Sequence, residues 1–396
     1  MDIAERYVRL AHGIHAHFEG FIDSYIGPPA WSEPGSLDLQ ALEDQCSALE
    51  ADVAALEVAS PEAASPETGS RRTFLTAQVR AMRTILRLKR GENLSFAEET
   101  RGLYDIEPER TPESVFEAGL GTLEGLLPGV GPIMDRWQAL RNRVLVPPEK
   151  LFAVLEVLTT EFRARSKRLF PLPEAESIEL ALVNNKPWGG YNWYLGQARS
   201  LVQINTDLPS YLHTLPDLIA HEGYPGHHTE RVFKDRLFEQ GHAEYSLQLL
   251  NAPEAVLAEG IATNALEVIA TPEEMPELLH GLARDAGLNV SLEELEVVMR
   301  VHNAMETLSD VGCNATLNFL QDGASENETL EYLGYYGLQT PERARKGLGF
   351  IRYARGYMFT YSVGYRLVNR ARQQDSKMFY RLLSEPFTPG QLRELA

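Results

Sequence analysis

The chain has 396 residues and a formal net charge of −19 at pH 7. This length allows a large buried core, and the acidic balance argues against nucleic acid as a partner because a phosphate backbone attracts basic surfaces. Cys46 and Cys313 are too few for a disulfide framework or a thiolate metal site, so we expect a reducing, cytoplasmic compartment.

The sequence predicts neither a targeting signal nor a membrane span. The first residues lack a basic segment followed by an apolar one, so we expect no signal peptide. No window approaches 18 uninterrupted apolar residues, so we expect no membrane partner. We therefore expect neither a membrane nor a nucleic acid as a partner, and an oligomer is possible.

The first part of the chain has helical periodicity. Apolar residues recur at steps of three and four over 2–26, which predicts an amphipathic helix. Similar patterns predict helices over 36–57, from Phe74 to about residue 90, over 132–145 and over 148–169. Residues 59–70 are rich in Pro, Ser and Ala and predict an exposed connector. The sequence is therefore expected to fold as a mainly α protein.

Two strands are predicted after residue 176. Apolar and polar residues alternate in Ser177–Val183, and Arg199–Thr206 has a second strand pattern. The Gly- and aromatic-rich stretch Pro187–Tyr194 predicts a turn between them. This small sheet ends about fifteen residues before His221. Its edge strand could pair with an extended peptide, or the strands could form a purely structural hairpin.

The chemistry is concentrated in residues 220–230, Ala-His-Glu-Gly-Tyr-Pro-Gly-His-His-Thr-Glu. A histidine followed directly by a glutamate, with further histidines close by, is typical of a zinc site with a carboxylate beside the metal's water. The usual second histidine would stand at position i+4, which Pro225 occupies here. Pro225 predicts a kink or bulge in the helix. The second ligand is then His227 or His228, and we favour His227.

Glu259 is the candidate for a third metal ligand. It lies in an otherwise apolar stretch, Ala255–Ala262, and an unpaired carboxylate is costly to bury there. Two histidines and a distant glutamate form a known catalytic zinc set that leaves one coordination position for water. Glu254 and Glu267 are weaker alternatives. One zinc ion per chain is the cofactor that this pattern predicts.

The region from Pro341 to Arg372 is basic and aromatic, with eight Lys or Arg residues against one acid. A wall that binds a substrate carboxylate and donates a phenol to an oxyanion would have this composition. Arg352 and Arg355 are the candidates for the carboxylate, and Tyr353 and Tyr361 are the candidates for the oxyanion. A helix that balances acidic neighbours is the structural alternative.

The assembled residues resemble the DUF885 family, which is similar in fold to the M32 carboxypeptidases among the zincin peptidases. The resemblance is carried by His221–His228, by Tyr25–Pro29, by Glu259-Gly260 and by Tyr361 with Gly364. It implies a large, mainly helical metallopeptidase-like fold with a deep cleft and a small β-sheet beside the metal-site helix. We expect 1–170 to form one side of the cleft and 171–396 to hold the metal site, within one compact unit.

Together these features predict a zinc-dependent, carboxypeptidase-like hydrolase. His221, one or both of His227 and His228, and Glu259 would bind zinc, and Glu222 would be the general base. One alternative is a metal-dependent hydrolase of non-peptide amides or esters. The other is a metal-binding protein without catalysis.

Overall fold

Helices dominate the computed structural model, which describes residues 2–34, 37–56, 66–186 and 188–395, with only the backbone described for 66–70. The chain is mainly α, as predicted. The helices are α1 (Ile3–His15), α2 (Leu39–Ala55), α3 (Pro66–Lys89), α4 (Phe96–Tyr104), α5 (Glu113–Leu126), α6 (Ile133–Asn142), α7 (Pro148–Leu169), α8 (Leu215–Glu222), α9 (His227–Glu239), α10 (Pro253–Ile269), α11 (Met275–Asp285), α12 (Leu292–Glu306), α13 (Val311–Leu320), α14 (Glu326–Tyr335), α15 (Pro341–Ala354), α16 (Met358–Gln374), α17 (Met378–Ser384) and α18 (Pro389–Leu395).

The first helix is shorter than predicted. It ends at His15, and a turn that includes Gly20 at φ +85° leads into strand β1 (Ile22–Tyr25). A positive φ suits glycine because it has no Cβ. β1 pairs antiparallel with β5 (Leu247–Leu249), so Ile22 and Tyr25 belong to a strand and not to the predicted helix. Of the predicted connector, 59–65 lie outside the described residues, and α3 begins at Pro66.

A three-stranded sheet stands beside α8. Both predicted strands are confirmed as β2 (Ser177–Val183) and β4 (Arg199–Asn205), which run parallel. The predicted turn between them is wrong, because Gly190–Gly196 forms strand β3, antiparallel to β4; Pro187 lies outside the described residues. The sheet order is β2-β4-β3, so within the described chain β3 is an edge strand.

Helix α10 connects the two hydrophobic cores. Its Val256 and Ile261 pack with α1–α4 and α16 in the first core, whereas its Ala265 and Ile269 pack with α5–α8 and α11–α15 in the second. Each core draws residues from both sides of residue 170. Within the described residues, no helix combines the length and apolar composition that crossing a bilayer requires.

Two glycines allow α10 and α16 to pack with their backbones in contact. A Cβ atom at Gly260 would lie 2.5 Å from the carbonyl oxygen of Gly364, and one at Gly364 would overlap the carbonyl oxygen of Val256. Real Cβ atoms keep more distance from backbone oxygens, so neither helix can carry a side chain here. The glycines therefore set the distance from Glu259 on α10 to the start of α16.

Gly364→Ala is expected to destabilise the fold by about 1–3 kcal/mol, because overpacking forces a shift of one helix. The control is Gly281→Ala in α11, where an added Cβ meets no atom within 4 Å. That change is expected to stabilise the protein by about 0.5–1 kcal/mol through helix propensity. Urea unfolding of both variants checks the prediction, and equal stabilities would contradict the close packing.

Candidate metal centre

A break between α8 and α9 brings two histidines of the motif together. α8 ends at Glu222 and α9 begins at His227, so the predicted kink is a complete interruption of the helix. The N–H of Gly226 donates to the carbonyl of Ala220 at 2.9 Å. A Cβ at Gly226 would overlap the carbonyl oxygens of Ala220 and His221. Glycine at this position therefore lets the second helix start directly beside the end of the first.

His221, His227 and Glu259 form a three-residue cluster. One ligand atom from each residue lies within 4.8 Å of the other two. The two imidazole rings are perpendicular, with centroids 4.7 Å apart. Glu259 Oε2 lies 3.5 Å from His221 Nε2 and 3.9 Å from His227 Nε2. The structure thus brings together the three residues that the sequence predicted, with His227 as the second histidine.

The carboxylate of Glu259 has one satisfied and one unsatisfied oxygen. Oε1 accepts a hydrogen bond from the Tyr357 hydroxyl at 2.7 Å, whereas buried Oε2 has no hydrogen-bond partner within the described chain. Burial raises the pKa of Glu259 to about 8. A buried oxygen that faces two imidazole nitrogens and lacks a donor is what a divalent cation would satisfy. The residues present therefore fit a zinc ion.

The histidines of the cluster are held in the form that binds metal. Burial lowers the pKa of His221 to about 4. Burial, with contributions from His221 and Arg231, also lowers the pKa of His227 well below its usual value. Both imidazoles are therefore neutral at pH 7, and a neutral imidazole nitrogen is the metal ligand.

Glu222 is buried next to the cluster without belonging to it. Burial and the nearby carboxylates of Glu259 and Asp23 raise the pKa of Glu222 to about 8. Strand β3 covers it: the Asn192 side chain donates to the Glu222 carbonyl at 2.6 Å, and a Cβ at Gly190 would lie 3.1 Å from Glu222 Oε1. Glu222 is thus placed beside the three candidate ligands, where a base is needed.

Asp23 on β1 is a residue of this site that the sequence analysis missed. The hydroxyl of Tyr191 donates to its carboxylate. Burial raises the pKa of Asp23, while that hydrogen bond and the charge of Arg231 lower it in part. No motif marks Asp23, because it reaches the site only through the pairing of β1 with β5.

His228, predicted as an alternative or additional ligand, lies outside the cluster. Its Nδ1 is 2.8 Å from Ser200 Oγ, and its Nε2 is 3.2 Å from Glu176 Oε2. Glu176 also accepts hydrogen bonds from Tyr224 and Arg163. Although burial raises the pKa of Glu176, these partners lower it to about 2. His227 and His228 are the first two residues of α9, and neighbouring side chains on a helix point in different directions. His227 therefore faces the cluster, whereas His228 belongs to this buried network.

Of the two predicted oxyanion donors, only Tyr361 lies near the site. Its ring packs edge-on against Tyr357 at 5.8 Å, and partial burial and the Glu259 carboxylate raise its pKa. Tyr353 is 79% exposed. It belongs to α15, which ends at the next residue, so the turn that follows separates it from Tyr357 and Tyr361. Tyr357, which the sequence analysis did not select, makes the direct contact with Glu259.

Both arginines predicted to bind a substrate carboxylate are paired with acidic residues. Arg352 forms an ion pair with Glu326 on α14. Arg355 binds Glu99 on α4, with Nε 2.8 and 3.1 Å from the two carboxylate oxygens and Nη2 2.6 Å from Oε2. Their guanidinium groups are therefore engaged within the fold, and the geometry does not support the substrate-binding role.

Comparisons with solved structures support the overall fold. The structure of the protein described as the "putative lipoprotein" from Colwellia psychrerythraea aligns with a TM-score of 0.53 and 15% identity, over 92% of this chain and 69% of that one. The structure described as "a putative lipoprotein of unknown function" from Shewanella oneidensis gives a TM-score of 0.51 and 12% identity, over 90% of this chain and 72% of that one. The structure of CHT gives 0.51 and 11%, over 99% and 90%.

At these identities the similarity concerns the fold alone. No protein-family model matches the sequence, and no curated protein matches it either.

Proposed function

We propose that the chain is a zinc-dependent hydrolase of peptide bonds, with one zinc ion held by His221, His227 and Glu259. The observation that carries the proposal is the buried Oε2 of Glu259, which lies 3.5 and 3.9 Å from two imidazole nitrogens and has no hydrogen-bond partner among the described residues. Three protein ligands are the set typical of catalytic rather than structural zinc, because one coordination position stays open.

The residues around the ligands have separate roles in this proposal. Bound zinc would act as a Lewis acid and lower the pKa of water toward 7. Glu222 accepts a proton from the attacking water and delivers it to the leaving amine. The Tyr361 hydroxyl donates to the oxyanion of the tetrahedral intermediate. Tyr357 fixes the orientation of the Glu259 carboxylate through its hydrogen bond.

The edge strand β3 favours an extended peptide as substrate. β3 begins at Gly190, directly beside the Glu222 carboxylate, and its other side is paired with β4. An extended peptide that hydrogen-bonds to the outer edge of β3 would pass Glu222. Since Arg352 and Arg355 are engaged elsewhere, recognition of a peptide carboxyl end by them has no support. The cytoplasmic location and any oligomer stay predictions.

The metal assignment is tested by metal content. Purified wild-type protein is expected to hold about one zinc per chain by mass spectrometry, and His221→Ala is expected to hold almost none, because two remaining ligands bind zinc weakly. His242→Ala, which changes a histidine outside the cluster, is the control and is expected to keep its zinc. If the wild type stays free of metal after zinc is added, the proposal fails.

The substrate class is tested on the zinc-loaded wild type with short peptides that are free, acetylated or amidated at their ends, together with simple esters and non-peptide amides. Cleavage of peptides alone supports a peptidase, and the blocked ends distinguish exopeptidase from endopeptidase activity. Cleavage of esters or simple amides alone supports the broader hydrolase. Zinc binding without any turnover supports a protein that binds metal without catalysis.

A further inference from the structure

The turn between α15 and α16 has an unusual backbone. Arg355, the first residue of the turn Arg355–Tyr357, has φ 47° and ψ −120°. Residues with a Cβ rarely adopt this conformation, because the side chain approaches the neighbouring carbonyl groups. Such a residue persists only where the surrounding structure holds it, and it is found most often at functional sites.

The side chain of Arg355 is anchored by a buried carboxylate. Its Nε and Nη2 form a fork on Glu99, at 2.8 and 2.6 Å, and the Glu99 side chain is only 3% exposed. A paired fork of this kind fixes both the position and the plane of the guanidinium. Glu99 lies on α4, which starts at a capping box formed by Ser95 and Glu98. Glu99, which anchors Arg355, therefore lies in the capped first turn of a helix.

The rest of the turn is pressed against the same helix. A Cβ at Gly356 would lie 2.8 Å from Thr100 Cγ2 and 2.9 Å from Tyr104 Cε2. The ring of Tyr104 packs edge-on against the ring of Tyr357, with centroids 6.3 Å apart. The three turn residues thus contact α4 one after another, which leaves Tyr357 little freedom.

Tyr357 connects this anchor to the candidate metal site. Its hydroxyl donates to Glu259 Oε1 at 2.7 Å, and Glu259 Oε2 faces His221 and His227. We propose that Arg355 and Glu99 are positioning residues, whose ion pair holds Tyr357 in place and thereby orients Glu259 for metal binding. This role deepens the proposed function and rests on its zinc site. It also accounts for Arg355 without a contact to substrate.

A double-mutant cycle on metal affinity tests this role. Zinc affinity, by competition with a chelator, is measured for the wild type, Glu99→Gln, Tyr357→Phe and the double variant. Each single change is expected to weaken zinc binding about 10-fold, the lower range for groups that orient a metal ligand. If Glu99 acts through Tyr357, the double variant has the same zinc affinity as Tyr357→Phe. The Co²⁺-loaded single variants are expected to share one altered visible spectrum.

Two further variants separate positioning from general stability. Glu244→Gln breaks a similar fork on another buried glutamate, which Arg71 forms on Glu244 at 2.6 and 2.9 Å, and it is expected to leave zinc affinity unchanged. Arg355→Lys keeps the charge but loses the fork, so it is expected to weaken zinc binding as Glu99→Gln does. It also replaces Glu99→Gln in the cycle if that variant fails to fold.

The outcomes separate this role from the proposed function. A wild type that binds no zinc rejects the proposed function and the positioning role together. A wild type that binds zinc, with Glu99→Gln and Arg355→Lys equal to it in affinity and Co²⁺ spectrum, overturns the positioning role alone. Fully multiplicative effects in the double variant also overturn it, as does an equal loss in Glu244→Gln.

Discussion

Glu222→Gln is expected to lower kcat about 10²- to 10⁴-fold, the contribution typical of a general base, while zinc content stays near one per chain. A carboxamide has the shape of a carboxylate but cannot accept a proton at neutral pH. Glu222 is not one of the three clustered ligands, so the metal is expected to remain. The measurements are hydrolysis of a peptide substrate by the zinc-loaded protein and metal content of the same sample.

The matched control is Glu254→Gln, which alters another glutamate whose pKa burial raises, to about 7. Glu254 lies near the start of α10, and its Oε1 accepts a hydrogen bond from the N–H of Leu249 at 2.7 Å. This variant is expected to keep its activity. Full activity in Glu222→Gln would contradict the proposed mechanism. Loss of zinc from that variant would indicate that Glu222 is a metal ligand and not the general base.

The three clustered residues were predictable because their chemistry is local. A His-Glu pair followed by more histidines indicates zinc, and a carboxylate in the apolar middle of α10 indicates a partner for its charge. The choice between His227 and His228 needed the backbone. Only the close fit of Gly226 against the end of α8 shows that a new helix starts at His227.

The tyrosine next to the candidate metal site could not be chosen from the sequence. Tyr353, Tyr357 and Tyr361 follow each other at steps of four, which on one continuous helix would place them on one face. The conformation of Arg355 ends α15 and separates Tyr353 from the other two. The side chain of Arg355 is bound by Glu99, which is 256 positions away in the chain. No local pattern contains a contact of this kind.

Strand and helix predictions succeeded where apolar residues recur regularly in the sequence. α6 lies within its predicted range of 132–145, and α7 matches its predicted range of 148–169. β2 and β4 match the two predicted strands. β3 was missed because Pro187, Gly189 and Gly190 favour a turn, although the aromatic residues that follow favour a strand. β3 pairs with β4 in a hairpin whose two turn residues, Gln197 and Ala198, have φ 55° without being glycine, so no usual turn signal marks it. The predicted end of the first helix forms β1 for a different reason, which is its long-range pairing with β5.

The second large effect is expected from the two adjacent histidines of the motif. His227→Ala is expected to lose zinc, because it removes one of three ligands, and to keep most of its stability. His228→Ala is expected to keep zinc but to lose about 2–4 kcal/mol of the free energy of unfolding, since a large-to-small change here leaves a cavity and unpaired buried groups. Those groups are Ser200 and Glu176.

Measuring both properties on both variants makes the comparison decisive. Zinc content of the folded proteins and urea unfolding of the metal-free proteins are recorded side by side, so that loss of metal is not mistaken for loss of fold. Glu176→Gln is the control for the buried network, because it weakens the same hydrogen bonds from the other side, and it is expected to keep zinc as His228→Ala does. If His228→Ala loses zinc while folded, His228 is a ligand, and the cluster of His221, His227 and Glu259 is not the metal site.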